Sequence, residues 1–102
     1  MSLPRVYDLV VSTKAEAIVQ AHLRKLETPS TPFSLNDAAT IERPFGWVFL
    51  YNSQKFLETR DPMFQLAGNG PIIVNRHNGV LTVGPSNKPV AVFIEEYEHG
   101  FE

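Results

Sequence analysis

Phe45-Gly46-Trp47-Val48-Phe49-Leu50-Tyr51-Asn52 is the stretch on which the fold turns. Aromatic and β-branched residues crowd it, so it reads as a strand. Alternate side chains of a strand point to opposite faces. Trp47, Phe49 and Tyr51 share one face, and Gly46, Val48, Leu50 and Asn52 share the other. Both faces are mainly apolar, which is the pattern of a central strand covered on both sides. One helix can cover one side. A second element, or a second copy of the chain in a symmetric homodimer, has to cover the other.

The flanking sequence supplies candidates. Upstream, Ile18, Val19, His22, Leu23 and Leu26 recur at helical spacing within Thr13–Glu27. Thr13 with Glu16 reads as a capping box at the start of this helix, and Pro29 and Pro32 bound its end. A strand over Ser34–Glu42 precedes Arg43 and Pro44 and pairs with the strand that follows them. Downstream, Met63–Ala67 suits a short linking helix ending at Gly68. Pro71–Asn75 and Val80–Val83 then flank Arg76-His77-Asn78-Gly79, whose Asn-Gly pair is a strong hairpin signal. Pro89 opens a last helix in which Val90, Phe93, Ile94 and Tyr97 form an apolar stripe, with Gly100 at its end and Phe101 folding back. Strands grouped by hairpins between terminal helices define an α+β fold. Its expected core is a four-stranded antiparallel sheet with an N-terminal helix, a short linking helix and a C-terminal amphipathic helix.

The 102 residues suit a single domain spanning 1–102, with 1–12 as a loosely ordered N-terminal segment. With 43% hydrophobic and 20% charged residues the composition is globular. Zero cysteines exclude a disulfide scaffold and a thiol nucleophile and fit a reducing, cytoplasmic setting. No apolar run approaches the roughly 18–20 residues of a membrane span, so no membrane partner is expected. Net charge is −2, which gives no argument for nucleic acid as a partner. The charge is uneven, however. Residues 1–88 hold nine bases and seven acids, whereas Glu95, Glu96, Glu98 and Glu102 are unopposed in 89–102. Such a run is either a solvated helix face or a surface that steers a basic partner. The solvated face is the usual meaning of such a run, and acids in the last turn, which oppose the helix dipole, add some weight to the second reading.

No catalytic set emerges. Ser53, Asp61 and His77 lack the Gly-x-Ser-x-Gly elbow that would expose a serine nucleophile. His99 has Glu95, Glu96 and Glu102 at helical spacing but no second histidine, so no metal is assigned. Ala67-Gly68-Asn69-Gly70-Pro71 opens a strand, whereas a phosphate cradle opens a helix. A structural turn is the better reading, and no cofactor is implied. Trp47 and Tyr51 are either core residues or anchors for a partner, since Trp and Tyr dominate binding hot spots.

Two runs taken together carry a family resemblance. Gly46-Trp47-Val48-Phe49-Leu50-Tyr51-Asn52-Ser53 and Leu66-Ala67-Gly68-Asn69-Gly70-Pro71-Ile72-Ile73-Val74, at this separation, resemble the immunity protein 35 (YrhB-type) family. Gly46, Trp47, Tyr51, Gly68, Asn69, Gly70 and Pro71 are the motif positions, expected to be structural. The chain departs from the family pattern at Asn75, where an acid is usual, at Arg60, where glycine is usual, and at Gly84-Pro85-Ser86. The resemblance implies a small bacterial immunity protein of a polymorphic-toxin system, which neutralises a cognate toxin by binding and is no enzyme. A chaperone-like, stress-related binding module is the alternative it leaves open. On the first reading Glu95, Glu96 and Glu98 rim and steer the contact, with Trp47 or Tyr51 as its anchor.

Overall fold

A computed structural model describes residues 11–101. Helix α1 runs Ser12–Leu26, followed by strands β1 (Phe33–Leu35), β2 (Ile41–Arg43), β3 (Gly46–Phe49) and β4 (Tyr51–Ser53). Helix α2 (Gln54–Thr59), strands β5 (Ile72–Asn75) and β6 (Leu81–Val83), and helix α3 (Val90–Phe101) complete the order. Single 3₁₀ turns stand at Asp37–Ala39 and Pro62–Phe64. The loosely ordered segment expected over 1–12 lies outside the described residues for 1–10, and Ser12 already belongs to α1.

The four-stranded antiparallel sheet is present, in the order β2-β3-β5-β6. A second, two-stranded sheet pairs β1 with β4. The stretch 45–52 therefore serves two sheets. Its first half pairs with β2 and β5, and after Leu50 its second half turns to β1. The single strand expected over Ser34–Glu42 divides for the same reason. Asn36 and Asp37, residues that favour turns, introduce the 3₁₀ turn between β1 and β2.

The alternation within β3 is realised. Trp47 and Phe49 join Ile72 and Val74 beneath Ala15, Val19 and Leu23 of α1. Val48 and Ile73 point the other way, onto Phe45 and Ile94 of α3. The C-terminal helix thus supplies the second cover. Burying each of these large aliphatic side chains contributes about 1.5–3 kcal/mol, so both covers are substantial. Among the described residues no helix is long and apolar enough to cross a membrane.

Several local expectations are corrected. Helix α1 starts two residues earlier than its capping box would allow, with Val11 in the capping position in place of Thr13 and no side-chain cap. Glu16 is drawn instead toward Asp37. Residues 54–59 form α2, which the lack of alternation had concealed, and the expected helix over 63–67 shrinks to the 3₁₀ turn. That turn ends at Gln65, so Gly68, at φ +82°, caps no helix. In the β5–β6 hairpin only Gly79 takes positive φ, and the Asn75 side chain organises the turn by accepting the N–H groups of His77 and Asn78. Helix α3 continues through Gly100, and the side chain of Phe101 lies outside the described residues.

Candidate partner surface

The acidic residues sit on α3 because its apolar stripe is consumed by the sheet. Ile94 is buried, with Val90, Phe93 and Tyr97 packed beside it. The same helical periodicity turns Glu95 and Glu96 outward. With Val92 and His99 they line a shallow depression of about 440 Å³. Val92 is 42% exposed, which places an apolar contact among the carboxylates. Two of the glutamates already have partners. Lys88 Nζ donates to Glu96 Oε1 at 2.6 Å, and Arg43 Nε lies 4.0 Å from Glu98 Oε1. Glu102 lies outside the described residues. Among the described residues no group of three or more His, Cys, Asp or Glu side chains is placed to hold a metal ion.

The two aromatic anchor candidates are on the opposite side of the sheet. Trp47 is 4% exposed within the α1 cluster, so the core reading applies to it and not the anchor reading. The Arg76 guanidinium stacks 4.5 Å from its ring. Tyr51 is half-buried against the same cluster, tilted on Phe33 at 5.6 Å between ring centres. Burial pushes its phenol above the usual tyrosine range. The fold therefore separates Trp47 and Tyr51 from Glu95, Glu96 and Glu98, and one flat contact on α3 does not reach both groups.

The motif residues hold the chain together. A Cβ on Gly46 would stand 2.0 Å from the Val74 carbonyl oxygen, so β3 and β5 approach only because this position is glycine. A Cβ on Gly70 would meet the Gly84 oxygen at 1.9 Å, where the Gly84 N–H donates to the Pro71 carbonyl. Asn69 Nδ2 donates to the Tyr51 carbonyl at 2.8 Å. These bonds lock the 67–71 loop onto β4 and β6. Ser53 and Asp61 act as caps. Ser53 Oγ accepts from Phe56 N–H and donates to the Phe64 carbonyl, and Asp61 accepts from Met63 N–H.

One feature escaped the sequence reading. A groove of about 630 Å³ runs between residues 30–32 on one side and α2 with the following 3₁₀ turn on the other. Met63 at its rim is 81% exposed. A signal existed in the Ser53 cap and the Gln54–Glu58 pair, bonded at 2.9 Å, which together mark a short helix.

These features describe a small α+β domain with internal motif bonds and an outward acidic helix. A model of the immunity protein 35 family matches residues 13–100, and the chain belongs to that family. It is also similar to the uncharacterized protein YrhB of Escherichia coli (strain K12), at 36% identity over 53 residues, or 52% of this chain and 56% of YrhB. The match thus spans little more than half the length of that relative. No solved structure matches the chain.

Proposed function

We propose that this protein binds and neutralises a cognate bacterial toxin, with no chemistry of its own, and that it does so through the outer face of α3. Membership of an immunity protein family over residues 13–100 is the observation that carries the reading. The α3 face supports it. Glu95 and Glu96 lie beside the exposed Val92 on one helix, an arrangement suited to steering and then seating a basic surface. Glu98, half-exposed beside Arg43, extends the acidic rim. An interface of standard size, about 800 Å² per partner, is larger than the α3 depression and would include its surroundings.

The test begins with the partner. Tagged protein recovered from its native cells should retain one stoichiometric protein whose expression alone arrests growth. Association of the two is then measured with Glu95→Lys and Glu96→Lys combined. The expected result is slower association and a weaker dependence on salt. Unchanged kinetics, with protection intact, would remove α3 from the contact.

A further inference from the structure

A smaller cleft, of about 210 Å³, opens where α2 ends against β4, lined by Asn36, Asn52 and Arg60 together with Leu50, Phe56 and Leu57 among others, with no carboxylate in its wall. Two of these residues are unusual. Arg60 closes α2 in the left-handed conformation, at φ 60° and ψ 21°, and no other non-glycine residue described takes positive φ. An L-residue is strained there, and glycine is the side chain that relieves it. The guanidinium lies 5.7 Å from the Phe56 ring centre and makes no ion pair among the described residues.

Asn52 is the second. It is 9% exposed, and its Oδ1 accepts the N–H groups of Ser53 and Leu66 at 2.8 and 2.9 Å. Those two bonds fix which end of the amide is oxygen. The Nδ2 group has no hydrogen-bond partner among the described residues, yet it is not sealed from solvent. Asn52 lines the cleft, and Nδ2 is the one side-chain polar atom it has without a partner among the described residues.

We propose that this cleft binds a carboxylate presented by an acidic side chain of a partner protein, with the Arg60 guanidinium supplying the charge and the Asn52 amide a neutral donor. A guanidinium offers paired N–H donors that match the two oxygens of a carboxylate. A single cation in the wall balances a monoanion and leaves a phosphate dianion half-compensated. The volume holds a carboxyl group with a short aliphatic stem. This site is separate from the α3 face and does not require the toxin reading.

The probe is butyrate, which reproduces a glutamate side chain, titrated at constant ionic strength while the Asn52 side-chain amide and Arg60 Nε–H are followed by nitrogen-edited NMR. Inorganic phosphate is the parallel arm. Saturable shifts of both groups with butyrate, with Kd on the order of millimolar, are expected. Arg60→Gly keeps the left-handed backbone and should raise the denaturation midpoint while weakening butyrate at least tenfold. Asn52→Asp keeps both accepted N–H bonds but puts a like charge in the cleft, and should abolish binding. An absence of saturation in the native protein, saturation by phosphate alone, or an unchanged butyrate curve in Arg60→Gly would each overturn the proposal.

Discussion

At the scale of the residue, two positions carry more than their side chains suggest. Gly46 has no side chain at all, and the sheet depends on that. Its Cβ would fall 2.0 Å from the Val74 oxygen, and its φ of +150° is itself unfavourable for an L-residue. Gly46→Ala should therefore cost more than about 3 kcal/mol, from strain plus the displacement of β5, as measured by urea denaturation. Glu16 is the other. Its carboxyl is held above the ordinary value of 4.5, first by a hydrogen bond with Asp37, then by partial burial and by the Asp37 charge. A raised carboxyl pKa in the folded state means that the pair favours folding while protonated. That contribution is complete below the ordinary value and is lost as pH rises through the raised one. Asp37→Asn should thus stabilise the protein at pH 7 and bring no such gain near pH 4. Denaturation midpoints compared at the two pH values check this. The sequence displayed the Thr13–Glu16 capping box but not the competing attraction of Asp37, which is 21 residues away from Glu16 and meets it only through the tertiary fold.

At the scale of the element, the hairpin and the last helix are joined by one polar contact. Asn75 is 2% exposed, and its Nδ2 donates to the Tyr97 hydroxyl at 3.0 Å. Its Oδ1 meanwhile holds the turn through His77 and Asn78. A buried donor stripped of its acceptor costs about 1–3 kcal/mol. Tyr97→Phe should lower stability by an amount in that range while leaving the apolar stripe of α3 in place, and a urea titration with circular dichroism reads it. The family's usual acid at position 75 would serve the same turn through its oxygens. Strongly periodic elements such as α1 and α3 were legible because a stripe of apolar residues needs no knowledge of what it packs on. The short ones were not. Helix α2 spans only Gln54–Thr59 and buries none of its own residues, so it leaves no periodic trace, and its left-handed Arg60 disguises the stop that a glycine would have announced.

At the scale of the whole molecule, the sheet is closed on both faces, by α1 through Ala15, Val19 and Leu23 and by α3 through Ile94. The demand for a second cover was plain in the alternation of residues 45–52, but the choice between α3 and a second copy was not. With α3 in place the apolar reason for a homodimer is gone, and light scattering across a concentration series should return the mass of one chain. A chain ending at Pro89 should behave differently, since Val48, Ile73 and Phe45 lose their cover. Self-association rising with concentration is the expected outcome, and a soluble monomer of the shortened chain would show that α3 is dispensable to the core. Of the candidate site, the acidic run was visible as charge, and the pairing of two of its glutamates, Glu96 with Lys88 and Glu98 with Arg43, was not, because ion pairs across 8 and 55 residues depend on the fold.

The passage of residues 46–53 from one sheet to the other without a loop also bears on how the chain can be divided. A split into two complementary fragments anywhere between Gly46 and Ser53 would sever both sheets at once, because Leu50 alone joins β3 to β4 and its carbonyl is bonded to Asn36 N–H at 2.8 Å. The 3₁₀ turn at Asp37–Ala39 falls between β1 and β2, which belong to different sheets, and a cut there parts β1 from β4 but leaves the four-stranded sheet whole in one piece. A fragment-complementation reporter built on this protein would accordingly be opened at residues 37–39, with the β1–β4 pairing and the packing of α1 on the sheet left for the two pieces to find one another by.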